Sequence, residues 1–188
     1  MVKVDGRTTR GQANKKQIVQ ALIELIREGH PAPTAETVSA RAGVGLRTVF
    51  RHFKDMETLY REMTNEVDAI VAPVLATPIL GNNLHEKLLN VIERRAAMFE
   101  KLAPLQAASL VHLHESDYLR ERQTSSVELQ RYLLKAFLPK EIVSDKTLFE
   151  AFDLVLSIET WLRLRRDQKL SVTAAKKVLQ RSVEQLLK

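Results

Sequence analysis

Arg47, Thr48 and Arg51 place two guanidinium forks and a hydroxyl within five consecutive positions. At helical spacing Arg51 lies one turn beyond Arg47, so the two share a face. A planar fork matches O6 and N7 of guanine, and a threonine reaches a phosphate through its hydroxyl or a thymine methyl through its own methyl. On the exposed side of a short helix these three residues have the chemistry of a major-groove reader. Leu46, Phe50, His52 and Lys54 accompany them, and Gly45 stands just before them, where the missing side chain allows a close approach to another backbone or merely lengthens the turn.

Such residues need a rigid element behind them, and the stretch from Thr34 to Phe53 supplies one. Ala35, Val38 and Ala42 fall on the inner face of one short helix, and Val49 and Phe53 on that of the next. Gly43 sits between the two helices, where a turn needs a conformation that a β-carbon resists. This is a helix-turn-helix pattern, with the second helix as the DNA-reading one. Thr34 is suited to cap the first helix and to meet a phosphate at the same helix N-terminus.

Charge follows the motif. Residues 1–54 hold ten Lys and Arg against four acids, whereas from Asp55 onward nineteen basic residues meet nineteen acids, so the formal net charge of +6 resides in the N-terminal segment. A field confined to one end draws a polyanion to that end. Arg7 and Arg10 lie on an arm ahead of the motif, which is expected to be a disordered tail or to enter a minor groove.

The 188 residues, 45% hydrophobic and 28% charged, have the balance of a folded soluble protein. The chain holds no cysteine, which excludes disulfides, thiolate metal sites and cysteine nucleophiles. The start lacks the apolar stretch of a secretion signal, and no apolar run is long enough to span a bilayer. The expectation is a cytoplasmic protein without a membrane partner.

The periodicity predicts helices nearly throughout. They cover Lys15 to Glu28, the two motif helices, a fourth helix capped by Asp55 and running to about Val71, and one over Leu84 to Lys101. Further helices follow from Pro104 to about Glu115, over Asp117 to Phe137, from Asp145 to about Gln168, and from a Ser171 cap over about Val172 to Leu187. Pro73 and Pro78 are expected to stop the fourth helix and mark a junction. The fold class expected is all-α, with about nine helices. A three-helix DNA-binding domain at residues 1–54 is followed by a connecting helix at 55–71 and a helical second domain at 72–188.

The segment ending Thr48-Val49-Phe50-Arg51-His52-Phe53, followed by Glu57-Thr58-Leu59, resembles the TetR family of one-component transcriptional regulators. Gln17-Ile18, Gly29, Thr34, Val38 and Ala42-Gly43-Val44 also fall on the family's pattern, so the likeness covers about residues 15 to 63. Phe50 stands where the family usually has tyrosine, and Met56 where it usually has lysine; both usual residues contact phosphate, and neither replacement donates a hydrogen bond. His52 and Lys54 are near enough to compensate.

The resemblance implies a homodimer on a palindromic double-stranded operator, controlled by a small-molecule effector, with repression released by a mostly apolar ligand. It implies pairing of the last two long helices between subunits, for which Leu154, Ile158, Trp161, Leu162, Leu164, Val178, Leu179, Val183, Leu186 and Leu187 are the candidates. Helices between Leu84 and Phe137 would wall the ligand site, with Met98, Phe99, Leu102, Leu110, Leu113, Tyr118, Leu133 and Phe137 as lining. His112 and His114 are two positions apart, so on a helix they point to nearly opposite sides, and no histidine follows an acid by three positions. No cofactor, metal or catalytic group is expected. A helical enzyme or carrier is disfavoured by the absence of cysteine and by the lack of a phosphate-binding glycine loop and of a histidine-carboxylate grouping at catalytic or ligand spacing. An adaptor that keeps the fold without binding DNA is the other alternative, and Phe50 and Met56 are its sequence signal.

Overall fold

The computed structural model describes residues 6–188, with side chains from Arg10 onward. Among the described residues every regular element is helical. They are α1 (Gly6–Arg27), α2 (Ala35–Ala42), α3 (Leu46–His52), α4 (Met56–Ala76), α5 (Leu84–Val111), α6 (Asp117–Phe137), α7 (Lys140–Ser144), α8 (Lys146–Val155), α9 (Ile158–Leu162) and α10 (Val172–Leu186). A π-helical turn at Arg163–Asp167 continues from α9. None of these helices is long and apolar enough to cross a membrane.

Two compact units emerge, one from Met1–Ala69 with Pro104–Arg120 and the other from Ile70–Ala103 with Glu121–Lys188. This differs from a simple cut near residue 72, because Pro104–Arg120 joins the first unit. In that unit α1 packs against α2, and α2 against α3. Its core gathers Ile18, Leu22, Val38, Val49, Phe53, Leu59, Met63, Leu105 and Ala108, all nearly inaccessible to solvent. In the second unit, Leu88, Ile92, Phe99, Leu134, Phe149, Phe152, Trp161, Ala175 and Val183 are the buried set. The Trp161 indole donates to Glu100 Oε1 at 2.9 Å, and Arg165 grips the same carboxylate through two bonds of 2.9 Å.

Local chemistry explains most helix ends. Gly43 closes α2 in the left-handed conformation, φ 63° and ψ 30°, with its N–H bonded to the last carbonyls. Asp55 Oδ1 accepts from the Thr58 N–H at 2.8 Å and so caps α4; Asp145 and Ser171 cap α8 and α10 in the same way. Other expectations fail for tertiary reasons. α4 runs through Pro73 to Ala76 and stops only at Thr77, the residue before Pro78, where a proline disfavours helical geometry in its predecessor. α5 passes through Pro104 unbroken, because burial of Leu102, Leu105 and Ala108 around the proline offsets the lost backbone bond. The helix expected from Asp145 to Gln168 is divided, since Ser157 accepts from the Thr160 N–H and starts α9 anew. The backbone is already helical from Gly6, where a tail was expected; the Arg7 side chain lies outside the described residues.

Candidate functional site

The first unit presents α3 as a short helix held by one buried residue within it, Val49, and by Phe53 just beyond it. With the inner face fixed, Arg47, Phe50 and Arg51 are left exposed, and Leu46, Thr48 and His52 are half-buried. Arg47, Arg51 and Lys54 have no hydrogen bond or ion pair among the described residues. Arg41, on α2, contrasts with them: its fork is closed by Glu28 at 2.5 and 2.8 Å. A helix with unengaged cations on its outer face has donors available for an external anion, whereas Arg41 does not.

Gly45 is the N-cap of α3, with φ −69° and ψ 147°. A β-carbon there would meet nothing within 4 Å, so the protein's own packing does not demand glycine at this position. Thr34 caps α2, its hydroxyl accepting from the Thr37 N–H at 3.3 Å, and the residue stays exposed beside that helix N-terminus.

Two neighbours behave differently from expectation. His52 was to stand in for a missing phosphate donor, yet its Nε2 is buried without a partner and its ring lies 3.9 Å from the position a β-carbon would take on Gly11. Burial first, then the like charges of Arg51 and Lys15, hold its pKa below the ordinary 6.5. Met56 packs against the core of the first unit, which accounts for a thioether where a lysine would have to reach outward. Phe50 remains 49% exposed. Of the substitutes for the absent donors, Lys54 alone stays on the surface.

In the second unit a cavity of about 290 Å³ opens among the end of α4, the loop after it, α5 and α6. Of the sequence-predicted lining residues, Met98, Leu133 and Phe137 are present, joined by Val74, Val91 and Ile79. Phe99 and Leu102 are core residues pointing elsewhere. Leu110, Leu113 and Tyr118 belong to the first unit, where Tyr118 shares a 2.6 Å hydrogen bond with Thr64, and they do not line this cavity. Sequence reasoning missed Arg94 and Arg95, which both reach the cavity wall. Arg94 Nη2 donates to the Val74 carbonyl while its Nη1 is buried without a partner. Arg95 Nη1 donates to the Leu156 carbonyl at 2.5 Å, and burial pushes its pKa down to about 10 against the pull of Asp153, which leaves it charged at neutral pH.

The surface expected to pair two subunits is also redrawn. Ile158, Trp161, Leu162, Leu164, Leu179 and Val183 are buried within the second unit, where α8 packs against both α9 and α10. Leu154 at 66% and Val178 at 40% exposure, with half-buried Leu186 and Leu187, are what remains of that set for a partner. His112 Nε2 lies 3.0 Å from the Tyr60 hydroxyl and His114 is exposed; no group of three or more acidic or histidine side chains among the described residues is arranged to hold a metal.

The chain thus joins a helix-turn-helix pattern to a second all-helical unit that carries a cavity. Among solved structures the chain is similar to the multidrug binding protein EbrR, determined in complex with imidazole, with a TM-score of 0.63 and 21% sequence identity over 89% of this chain and 88% of that one. EbrR has a TetR-family fold, and this chain shares it. No protein-family model matches the chain, and no curated protein matches it in sequence.

Proposed function

We propose that the protein is a homodimeric, sequence-specific DNA-binding transcriptional regulator of the cytoplasm, acting as a repressor that a small molecule releases. The observation that carries this reading is α3: Arg47 and Arg51 are exposed and unengaged on a helix whose other face is fixed by Val49 and Phe53. In the proposed complex Arg47 reads a guanine, Thr48 and Arg51 touch base or backbone, and Thr34, Gly45, Leu46 and Lys54 lie along the phosphates. Phe50 would contribute apolar contact only, and His52 would support the helix from within.

Two such helices in a dimer, spaced by about one turn of DNA, would read a palindrome. Leu154, Val178 and Leu186 are the proposed centre of the subunit contact. The second-unit cavity is the proposed effector site, a role in keeping with the small-molecule binding named for EbrR. Ligand binding would alter the fourth helix and favour a dimer conformation with lower DNA affinity, a coupling between two sites through two states. No catalytic role is proposed.

Selection of bound sequences from a random duplex library, then affinity against salt, tests the reading. A palindromic consensus with a steep salt slope is the expected result, since each neutralised phosphate releases counterions. A folded protein that enriches nothing would refute it and favour the adaptor reading, for which the exposed Phe50 and inward-turned Met56 and His52 are the specific observations.

A further inference from the structure

The cavity between the end of α4, α5 and α6 is apolar in most of its wall, yet its charged lining is of one sign. Among the described residues Arg94 and Arg95 are its ionisable lining groups, and no Asp or Glu among them contributes to the wall. Arginine does not lose its proton in proteins, so both stay cationic beside Val91, Met98, Leu133 and Phe137. Neither has an ion-pair partner among the described residues. The acid that acts on Arg95 from a distance, Asp153, is held by Arg131 at 2.6 Å, and the same arginine closes on Glu150 at 2.6 and 2.7 Å. Both acids are thus hydrogen-bonded to Arg131. Arg94 retains a buried donor, Nη1, with nothing to accept from it.

We infer that the cavity takes a small carboxylic acid with an apolar body, its carboxylate seated on Arg94 and Arg95. The inference deepens the effector-site reading above and rests on it for the regulatory consequence. A carboxylate supplies two acceptor oxygens in the geometry of a guanidinium fork. An ammonium head meets like charge. A neutral alcohol of equal length fills the apolar wall but brings no negative charge to the two half-buried guanidinium groups. The volume, about 290 Å³, lies at the small end of ligand pockets and suits a short apolar body.

The test uses the full chain titrated calorimetrically with three probes of equal length: octanoate, 1-octanol and octylammonium. Octanoate is expected to bind at least about tenfold more tightly than either other probe. In Arg94→Gln this preference shrinks to within about twofold, while octanol binding is unchanged. Leu133→Trp, which fills the cavity, is expected to remove octanoate and octanol binding together, with the helical circular dichroism retained. Should Arg94→Gln fail to fold, the parent alone decides: octanoate binding must weaken as pH falls through the ligand's own carboxyl titration, and octanol binding must not.

Equal or tighter binding of octanol or octylammonium overturns the inference, as does no binding by any probe. The regulatory reading has a separate readout, the affinity for a selected duplex. Preferential octanoate binding without a change in duplex affinity upholds the carboxylate site and refutes the effector role. Release of the duplex by octylammonium but not by octanoate does the reverse.

Discussion

Replacing Arg47 by alanine separates a DNA-reading arginine from an ordinary surface one. Arg47 is exposed and has no hydrogen bond or ion pair among the described residues, so its removal breaks nothing within the protein. Arginine and alanine are both good helix formers, and a substitution at such a site shifts stability by no more than about 0.5 kcal/mol. A bidentate contact to guanine, in contrast, is worth about 1–3 kcal/mol of discrimination. That is a loss of about 5- to 160-fold in affinity per half-site, compounded in a symmetric dimer. The assay is fluorescence anisotropy with the duplex obtained by selection, alongside a second selection with the variant and a thermal melt of each protein. Arg41→Ala is the matched control, because that fork is closed by Glu28. The expected pattern is an unchanged melt, weakened binding and a relaxed consensus position for Arg47→Ala, and unchanged DNA binding for Arg41→Ala. Parental affinity and consensus in Arg47→Ala, or an equal loss in Arg41→Ala, would refute the contact assignment.

Phe50→Tyr restores a hydroxyl on an exposed ring and should tighten duplex binding by about 0.5–1.5 kcal/mol per half-site, measured by the same anisotropy assay; no gain means that the ring does not face a phosphate. Gly45→Ser adds a β-carbon into open space and a better N-cap, so the melt should hold or rise by a few tenths of a kcal/mol while DNA affinity falls; retained affinity would show that no backbone approaches there. His52 has a folded pKa below its ordinary 6.5, so its contribution to stability is present above that value and is lost as pH falls through 6.5 toward the folded value. Urea melts between pH 8 and 5 should show this decline in the parent, and His52→Leu should flatten it; an equal decline in the variant would assign the acid sensitivity elsewhere.

What the sequence disclosed was local. Thr34, Asp55 and Ser171 announce helix starts because a cap is satisfied by a backbone N–H two or three residues away. Gly43 announces a turn for the same kind of reason. Pro104 misled, since its penalty is local but the burial of Leu105 and Ala108 that overrides it is tertiary. The apolar spacing of Trp161, Leu179 and Val183 signals burial and is silent on what buries them. Nothing in the spacing of Arg94 and Arg95 sets them apart from other charged helix residues, and only the fold brings them to one wall with Val74 and Leu133.

The inward turn of Met56 and the bare ring of Phe50 bear on how a regulator of this build would divide its time on a chromosome. Attachment to arbitrary sequence is almost wholly a matter of phosphates, each adding about 0.9 to the logarithmic salt slope, whereas recognition also draws on base edges. Without two backbone donors per subunit, affinity for every sequence falls by about the same factor, and the discrimination that Arg47 and Arg51 would supply is left whole. A protein so equipped would be dilute on bulk DNA, quick to leave it, and reliant on its two arginines to be found where it matters.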